Sequence, residues 1–411
     1  MTRKEHVTRR RFVKAAAGAV GAPIIVHAAA IGAGGATAPS ERITLGGIGV
    51  GGRGSGVLRS LAGAGGQPVA ACDVQQSRRD RAKRAGMDVY TDFRELLARD
   101  DIDAVVIASP SHWKPLHTIA AAKAGKDVYC EKPMSLTIRD GRAMVDAVRR
   151  YGRIFQHGTQ QRSSREFRFA CEMVRSGRIG KLKKVTVYVG GPGQECYLPA
   201  EPVPKGIDWD LWLGPAPWRP FNARLVATCG GWEGYRDYSG GSLTGWGSHH
   251  FDIAQWGLAA DETGPVEVIP PDWKKTKGVT FIYANGVPVY QDGSDRTWAV
   301  MFEGTEGKVA VNRGKLKTWP DSLMKKPTAP DEVNLPKSNN HGANFLHAVR
   351  TREPAICDVE IGHRTMTVAH LGNIAYWLGR TLKYDPAAEQ FVGDPGADRF
   401  LDRPRRDPWT L

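Results

Sequence analysis

Six residues, Gly49-Val50-Gly51-Gly52-Arg53-Gly54, constrain the fold of this chain more than any other stretch. They spell GxGxxG, and their surroundings give the spacing its meaning. Glu41–Ile48 ahead of them reads as a strand, and Val57, Leu58 and Leu61 behind them fall at helical spacing. The first glycine permits a tight turn, the second lets the backbone approach a pyrophosphate, and the third lets helix and strand pack closely. The helix start then points N–H groups and a positive dipole end at the phosphates. Gly49, Gly51 and Gly54 are therefore candidate cofactor-binding positions. The second strand, Pro68–Cys72, ends in Asp73, 19 residues after Gly54. A carboxylate there accepts hydrogen bonds from an adenosine ribose and repels a 2′-phosphate, which favours NAD over NADP. Arg78 and Arg79 close by are the feature that would suit NADP.

The same pattern repeats downstream. Asp101–Ala108 reads as a strand that stops in Ser109-Pro110. A helix over His117–Ala124 leads through Gly125 into Val128-Tyr129-Cys130, which stops in Glu131-Lys132-Pro133. Pro133 has no N–H for a ladder, so the strand ends there. A carboxylate and an amine are left at the carboxyl end of a strand, where ligands bind in open α/β sheets. Gly152–Gly158 reads as one more strand. Alternating strands and helices predict an α/β fold, with a doubly wound parallel Rossmann sheet over residues 39–158.

The GxGxxG start, the Ser109-Pro110 stop and the run Ala124-Gly125-Lys126-Asp127-Val128-Tyr129-Cys130-Glu131-Lys132-Pro133 together resemble the Gfo/Idh/MocA family. This is the group of glucose–fructose oxidoreductase and inositol dehydrogenase. The resemblance implies a carboxyl-terminal α/β domain, residues 159–381, built on an open, mainly antiparallel sheet; the Pro-, Asp- and Arg-rich residues 382–411 read as a tail. It implies that Lys132 is the acid/base between nicotinamide and substrate, and that Glu131 contacts the cofactor. Ser109, Pro110 and Gln160 would also border the cofactor. Thr159-Gln160-Gln161-Arg162 looks like the family's crossover, with Arg162 turned to the substrate. Where the family often has a histidine after the Ser-Pro stop, this chain has Lys114, flanked by His112 and His117; neither histidine is given a catalytic role.

Residues 190–244 read as a long irregular region rich in aromatics. Most of these anchor loops, but sugar rings also stack on aromatic faces, and Trp232, Tyr238 and Trp246 are the substrate candidates. Gly247–Trp256 reads as a helix carrying His249 and His250. The resemblance makes His249 the second catalytic residue, and the adjacent His250 is a substrate-binding candidate. The family usually carries an aspartate four residues before that histidine, and Gly245 stands there. Without a carboxylate on its face, His249 is expected to be neutral near pH 7, with Asp252 or Asp237 as substitutes. Further strands are predicted at Val266–Ile269, Val279–Tyr283, Trp298–Phe302 and Gly307–Asn312, with a hairpin signal at Asn285-Gly286. Helices are predicted over Asn344–Arg350 and His363–Leu378, and a tail lying over the surface from Leu382.

Thr8-Arg9-Arg10-Arg11-Phe12-Val13-Lys14 resembles a twin-arginine export motif, and residues 1–38 read as a leader outside the fold. Its apolar stretch is too short and too weakly apolar to span a membrane stably. The net charge is +14; beyond residue 38, 51 basic and 42 acidic residues leave +9, dispersed rather than in one block. With no nucleic-acid-binding signature beside it, that charge predicts solvated faces and no nucleic-acid partner. The six cysteines form no Cys-x-x-Cys pair, which leaves a zinc site unsupported and predicts no essential disulfide.

Together these features predict an exported, periplasmic oxidoreductase that acts on a hydroxyl of a sugar, polyol or glycoside. Its NAD is expected to be tightly bound, loaded before export, and the chain to form a homodimer or homotetramer. Two alternatives stay open. One is a redox-neutral, NAD-dependent glycoside hydrolase or lyase working through a transient keto-sugar. The other is a non-catalytic carbohydrate-binding protein.

Overall fold

Short runs of β-branched and small residues build the first sheet. Its strands are β1 (Thr44–Ile48), β2 (Gln67–Cys72), β3 (Asp88–Tyr90), β4 (Ala104–Ile107), β5 (Asp127–Cys130) and β6 (Phe155–His157). They lie in the order β3-β2-β1-β4-β5-β6, every neighbouring pair parallel. Every residue of β4 and β5 is buried, because helices cover both faces. The order reverses between β1 and β4, and the crevice above such a switch point takes ligands. The structure, a computed structural model, describes residues 41–227, 231–274, 276–325 and 332–411. The leader read over residues 1–38, and Cys229, lie outside the described residues. The strands and helices below belong to the compact unit Ile43–Leu411.

The second sheet has nine strands: β7 (Leu182–Tyr188), β8 (Glu267–Ile269), β9 (Thr280–Ile282), β10 (Pro288–Asp292), β11 (Val300–Gly304), β12 (Lys308–Asn312), β13 (Lys315–Trp319), β14 (Leu382–Asp385) and β15 (Gln390–Phe391). Their order is β13-β12-β11-β7-β10-β9-β8-β14-β15. Among the described pairs only β7 and β10 run parallel, so the sheet is mixed but mainly antiparallel. Val185 and Val187 of β7 point into the core, where the helices Gly247–Gly257 and Val359–Leu378 pack. Asn285-Gly286 makes the predicted turn, with Gly286 at φ +79° donating to the Tyr283 carbonyl.

The tail corrects an expectation. Residues after 381 do not simply lie over the surface: Leu382 and Tyr384 alternate inward on β14, which pairs with β8, and Phe391, Ala397 and Leu401 are buried. Arg403, Arg405 and Arg406 then fasten the tail to Asp237, Asp140 and Asp210. The polar composition that suggested a surface strap is that of ion pairs. The helix Ile138–Arg150, closed by a Thr137–Asp140 capping box, and the strands β3, β10 and β13 went unread in the sequence. The strands are short and each bears a lysine or an aspartate, which hides a period of two.

Candidate active site

The glycine run forms a cradle at the carboxyl edge of β1. Gly49 has φ +81°, and a Cβ there would stand 2.6 Å from the Ser109 backbone nitrogen. A Cβ on Gly54 would stand 2.1 Å from the Gly49 carbonyl oxygen, so the helix Gly52–Gly63 sits this close to β1 only because position 54 is glycine. Asp73 Oδ2 accepts from the Val50 N–H and Oδ1 from the Gln75 N–H, both at 3.0 Å. Burial raises the Asp73 carboxyl, and the Arg78 guanidinium at 3.4 Å opposes that rise. A cavity of about 400 Å³ opens over this cradle, lined among others by Gly51, Asp73, Ser109, Pro110, Trp113 and Trp232. A glycine turn that only a side-chain-free residue can make, a carboxylate at the end of β2 and a cavity between them fit a dinucleotide.

Lys132 and Glu131 follow β5 on the same edge. The Lys132–Pro133 peptide is cis. Glu131 is buried; Arg53, which lines the cavity, donates to its Oε1 at 2.8 Å, and a Cβ on Gly158 would stand 2.9 Å from its carboxyl carbon. Glu131 thus ties the glycine loop to the end of β5. The Lys132 side chain is mostly shielded but not buried, and its Nζ lies 3.8 Å from Glu233 Oε1. Lys114, at the start of the helix Lys114–Lys123, is buried, and its Nζ donates to the backbone carbonyls of Lys132 (3.1 Å) and Pro133 (2.9 Å). It therefore fixes the backbone from which Lys132 projects.

His249 is buried in the first turn of the helix Gly247–Gly257. Burial pushes its imidazole well below the usual histidine value, and the charges of Lys132 and then Arg313 push it further. Its Nδ1 has no hydrogen-bond partner among the described residues. His250 is placed differently: its Nδ1 meets the Tyr188 carbonyl oxygen at 2.9 Å, which anchors the helix to β7, and burial lowers it to about 4. Trp246 is 51% exposed, between these histidines and the Arg313 guanidinium 5.1 Å from its ring. Trp232 lines the cofactor-sized cavity, with Lys114 Nζ 5.8 Å from its ring. Gln160 begins the short turn Gln160–Ser163 after β6, with its Oε1 buried and unpartnered among the described residues.

Two candidate substrate residues stand elsewhere. Arg162 is buried among carboxylates: its Nε donates to Asp252 (2.9 Å) and its other nitrogens to Asp261 (2.6 and 3.0 Å). A planar guanidinium bridges two carboxylates and locks the crossover to the helix of His249. Tyr238 is wholly buried against Trp212 and His112, inside the aromatic cluster that supports the irregular region. The expected substitutes for a carboxylate at position 245 are also committed, Asp252 to Arg162 and Asp237 to Arg403. The carboxylate near Lys132 is Glu233, which no sequence signal marks because it sits in an aperiodic turn. Lys114 did carry a signal, an amine standing in the family's histidine position. His112 and His117, both lowered to about 3 by burial, bond the Trp212 carbonyl and Ser109 Oγ. Among the described residues no cluster of His, Cys, Asp or Glu could hold a metal ion, and no helix is long and apolar enough to cross a membrane.

Residues 43–159 match the model of an oxidoreductase family with an NAD-binding Rossmann fold, and residues 178–411 match that family's C-terminal alpha/beta domain. The chain is 33% identical over 205 residues to an alpha-N-acetylgalactosaminidase of Shewanella oneidensis, covering 43% of this chain and 44% of that protein. It is 33% identical over 151 residues to an inositol 2-dehydrogenase of Azotobacter vinelandii, covering 34% of this chain and 43% of that protein. These matches span less than half the length of the curated relatives. Among solved structures, a levoglucosan dehydrogenase in complex with NADH and levoglucosan superposes with a TM-score of 0.59 at 19% identity, over 83% of this chain and 99% of that one. An aldose-aldose oxidoreductase from Caulobacter crescentus gives the same score, identity and coverage.

Proposed function

Since this chain belongs to the Gfo/Idh/MocA family of NAD-binding oxidoreductases, we propose that it oxidises a hydroxyl of a sugar, polyol or glycoside, with Lys132 exchanging the hydroxyl proton. One observation carries this reading: Lys132 stands at the carboxyl end of β5, on the edge that holds the Gly49–Gly54 cradle, close enough to His249 to bias its imidazole. A bound nicotinamide supplies the hydride acceptor. Lys132 Nζ takes the proton of the reacting hydroxyl and returns it in the reverse direction. His249, held neutral, serves as a hydrogen-bond partner for the substrate. Lys114 keeps the end of β5 in place, and the exposed face of Trp246 offers a platform for the C–H groups of a sugar ring. Lys132→Ala should lower turnover by about 10²-fold or more while dinucleotide binding persists. Near-normal turnover in that variant would sink the assignment.

A second reading, redox-neutral cleavage of a glycoside, draws support from the likeness to the alpha-N-acetylgalactosaminidase. The same residues serve it, with the proton at Lys132 moving out and back within one cycle. Product analysis separates the two. Free oxidised sugar with accumulating NADH favours net oxidation; a released aglycone with no net NADH favours cleavage.

Asp73 supports NAD over NADP, and Arg78 is already engaged by Asp73 and by the Val226 carbonyl. The leader read at Thr8–Lys14 supports export of a folded protein to the periplasm, with no stable insertion in the membrane. A cofactor loaded before export must then stay bound, and each hydride removed must return to substrate or to a second acceptor. The purified protein should release nicotinamide dinucleotide on denaturation. Finding none, with stoichiometric consumption of added NAD, refutes the trapped cofactor alone. The half-covered second sheet supports a homodimer or homotetramer, which sedimentation would measure.

A further inference from the structure

The turn that carries Trp232 and Glu233 meets the end of β5 twice. Trp232 lies against the Lys114 ammonium, and Glu233 Oε1 stands 3.8 Å from Lys132 Nζ. The backbone holds this turn in place. The Glu233 carbonyl accepts from the Gly241 N–H (3.0 Å), the Gly234 carbonyl from Gln194 (2.8 Å) and the Trp232 carbonyl from Tyr235 (3.1 Å). The carboxylate is thus presented to Lys132 by pinned backbone. Both side chains are mostly shielded, 19% and 23% exposed, so their attraction is screened less than that of a surface pair.

Gly245 adds a second observation. A Cβ built there meets, among the described residues and beyond its own helix, one atom within 4 Å, Glu233 Oε2 at 3.9 Å. The side-chain space of position 245 is therefore open, and it borders the Glu233 carboxylate. Position 245 ends the short helix Gly241–Gly245, and Trp246 separates it from the helix that carries His249. One negative charge, delivered from a distant loop, stands beside Lys132 and borders position 245.

We propose that Glu233 is the positioning residue for Lys132, holding its amine at the cleft where a substrate hydroxyl would meet it. The inference rests on the oxidoreductase reading given above. In the forward step the substrate O–H bond breaks and an N–H bond forms on Lys132. The ammonium so formed has the Glu233 carboxylate beside it. Removing that carboxylate leaves the Lys132 side chain unheld and the new ammonium without this partner, so proton transfer slows.

The test reads Lys132 directly on the full chain. Its rate of acetylation by acetic anhydride at one fixed pH is followed and located by peptide mass spectrometry. The isosteric Glu233→Gln should raise that rate severalfold, because the amine is released from its carboxylate. Glu233→Ala combined with Gly245→Asp should bring it back toward the starting value, because an aspartate at 245 enters the space that borders the lost carboxylate. An unchanged rate in Glu233→Gln overturns the proposal, as does a double variant no different from Glu233→Ala alone. If Glu233→Gln folds poorly, Glu233→Asp keeps a carboxylate at shorter reach and should give a smaller rise; no rise overturns the proposal. In turnover, kcat should fall in Glu233→Gln while KM stays level. Labelling needs no turnover, so a protein that oxidises no carbohydrate refutes the proposed activity without deciding the role of Glu233.

Discussion

Replacing Arg162 by leucine tests whether this arginine holds the fold or the substrate. Its side chain is 2% exposed and that of Asp252 is 1% exposed, so the substitution strands a carboxylate where water does not reach. Asp261 also loses its guanidinium partner, and Thr365, donating to Asp252 at 3.2 Å, is too weak a replacement. Breaking a buried pair from one side costs about 3–5 kcal/mol. The compact unit Ile43–Leu411 unfolds with an entropy of roughly 0.8 kcal/mol per kelvin, at about 2.1 cal/mol per kelvin for each residue. The expected loss in Tm is therefore about 4–6 °C. Arg162→Lys should recover only part of it, because an ammonium cannot span two carboxylates in one plane. Differential scanning calorimetry reads the Tm, and steady-state kinetics on the same samples read KM. An unchanged Tm beside a KM raised tenfold or more would refute the structural role and return Arg162 to the substrate.

Two further outcomes are expected. Gly54→Ala places a Cβ 2.1 Å from the Gly49 carbonyl oxygen, so dinucleotide affinity measured by titration calorimetry should fall at least tenfold, roughly 1.4 kcal/mol or more; unchanged affinity would contradict the cradle. Burial holds His112, His117, His157 and His370 down to about 3, and His250 and His341 to about 4. Below about pH 6.5 the unfolded chain therefore binds protons that the folded chain refuses, each histidine contributing at most about 1.4 kcal/mol per pH unit. The sign is loss of stability on acidification, beginning near pH 6.5 and continuing towards pH 4, and a Tm that stays level from pH 7 to pH 5 would contradict it.

The first sheet and its cradle could be read from the chain because their constraints are local. A strand, three glycines and a helix lie within some twenty residues, and each glycine answers to a contact only a few residues or one strand away. Asp73, Ser109-Pro110 and Glu131-Lys132-Pro133 all mark strand ends, and in a parallel sheet strand ends share one edge. The placement of Lys132 beside the cradle therefore followed from topology alone. Arg162 and Tyr238 did not yield to such reasoning. A polar residue in a crossover and a tyrosine in an aromatic loop look the same in sequence whether they face a cleft or a core. Only packing assigns one to Asp252 and Asp261, and the other to Trp212 and His112. Glu233 is the sharpest case. It meets Lys132 across about a hundred residues of chain, through a turn with no period, and its place depends on its own carbonyl accepting from Gly241 and on its neighbour Gly234 accepting from Gln194. Local pattern determines which strands form and where they end, because propensity and chain geometry act over a few residues. Which charge neutralises which is decided by the tertiary structure, because electrostatic partners are chosen by distance in space.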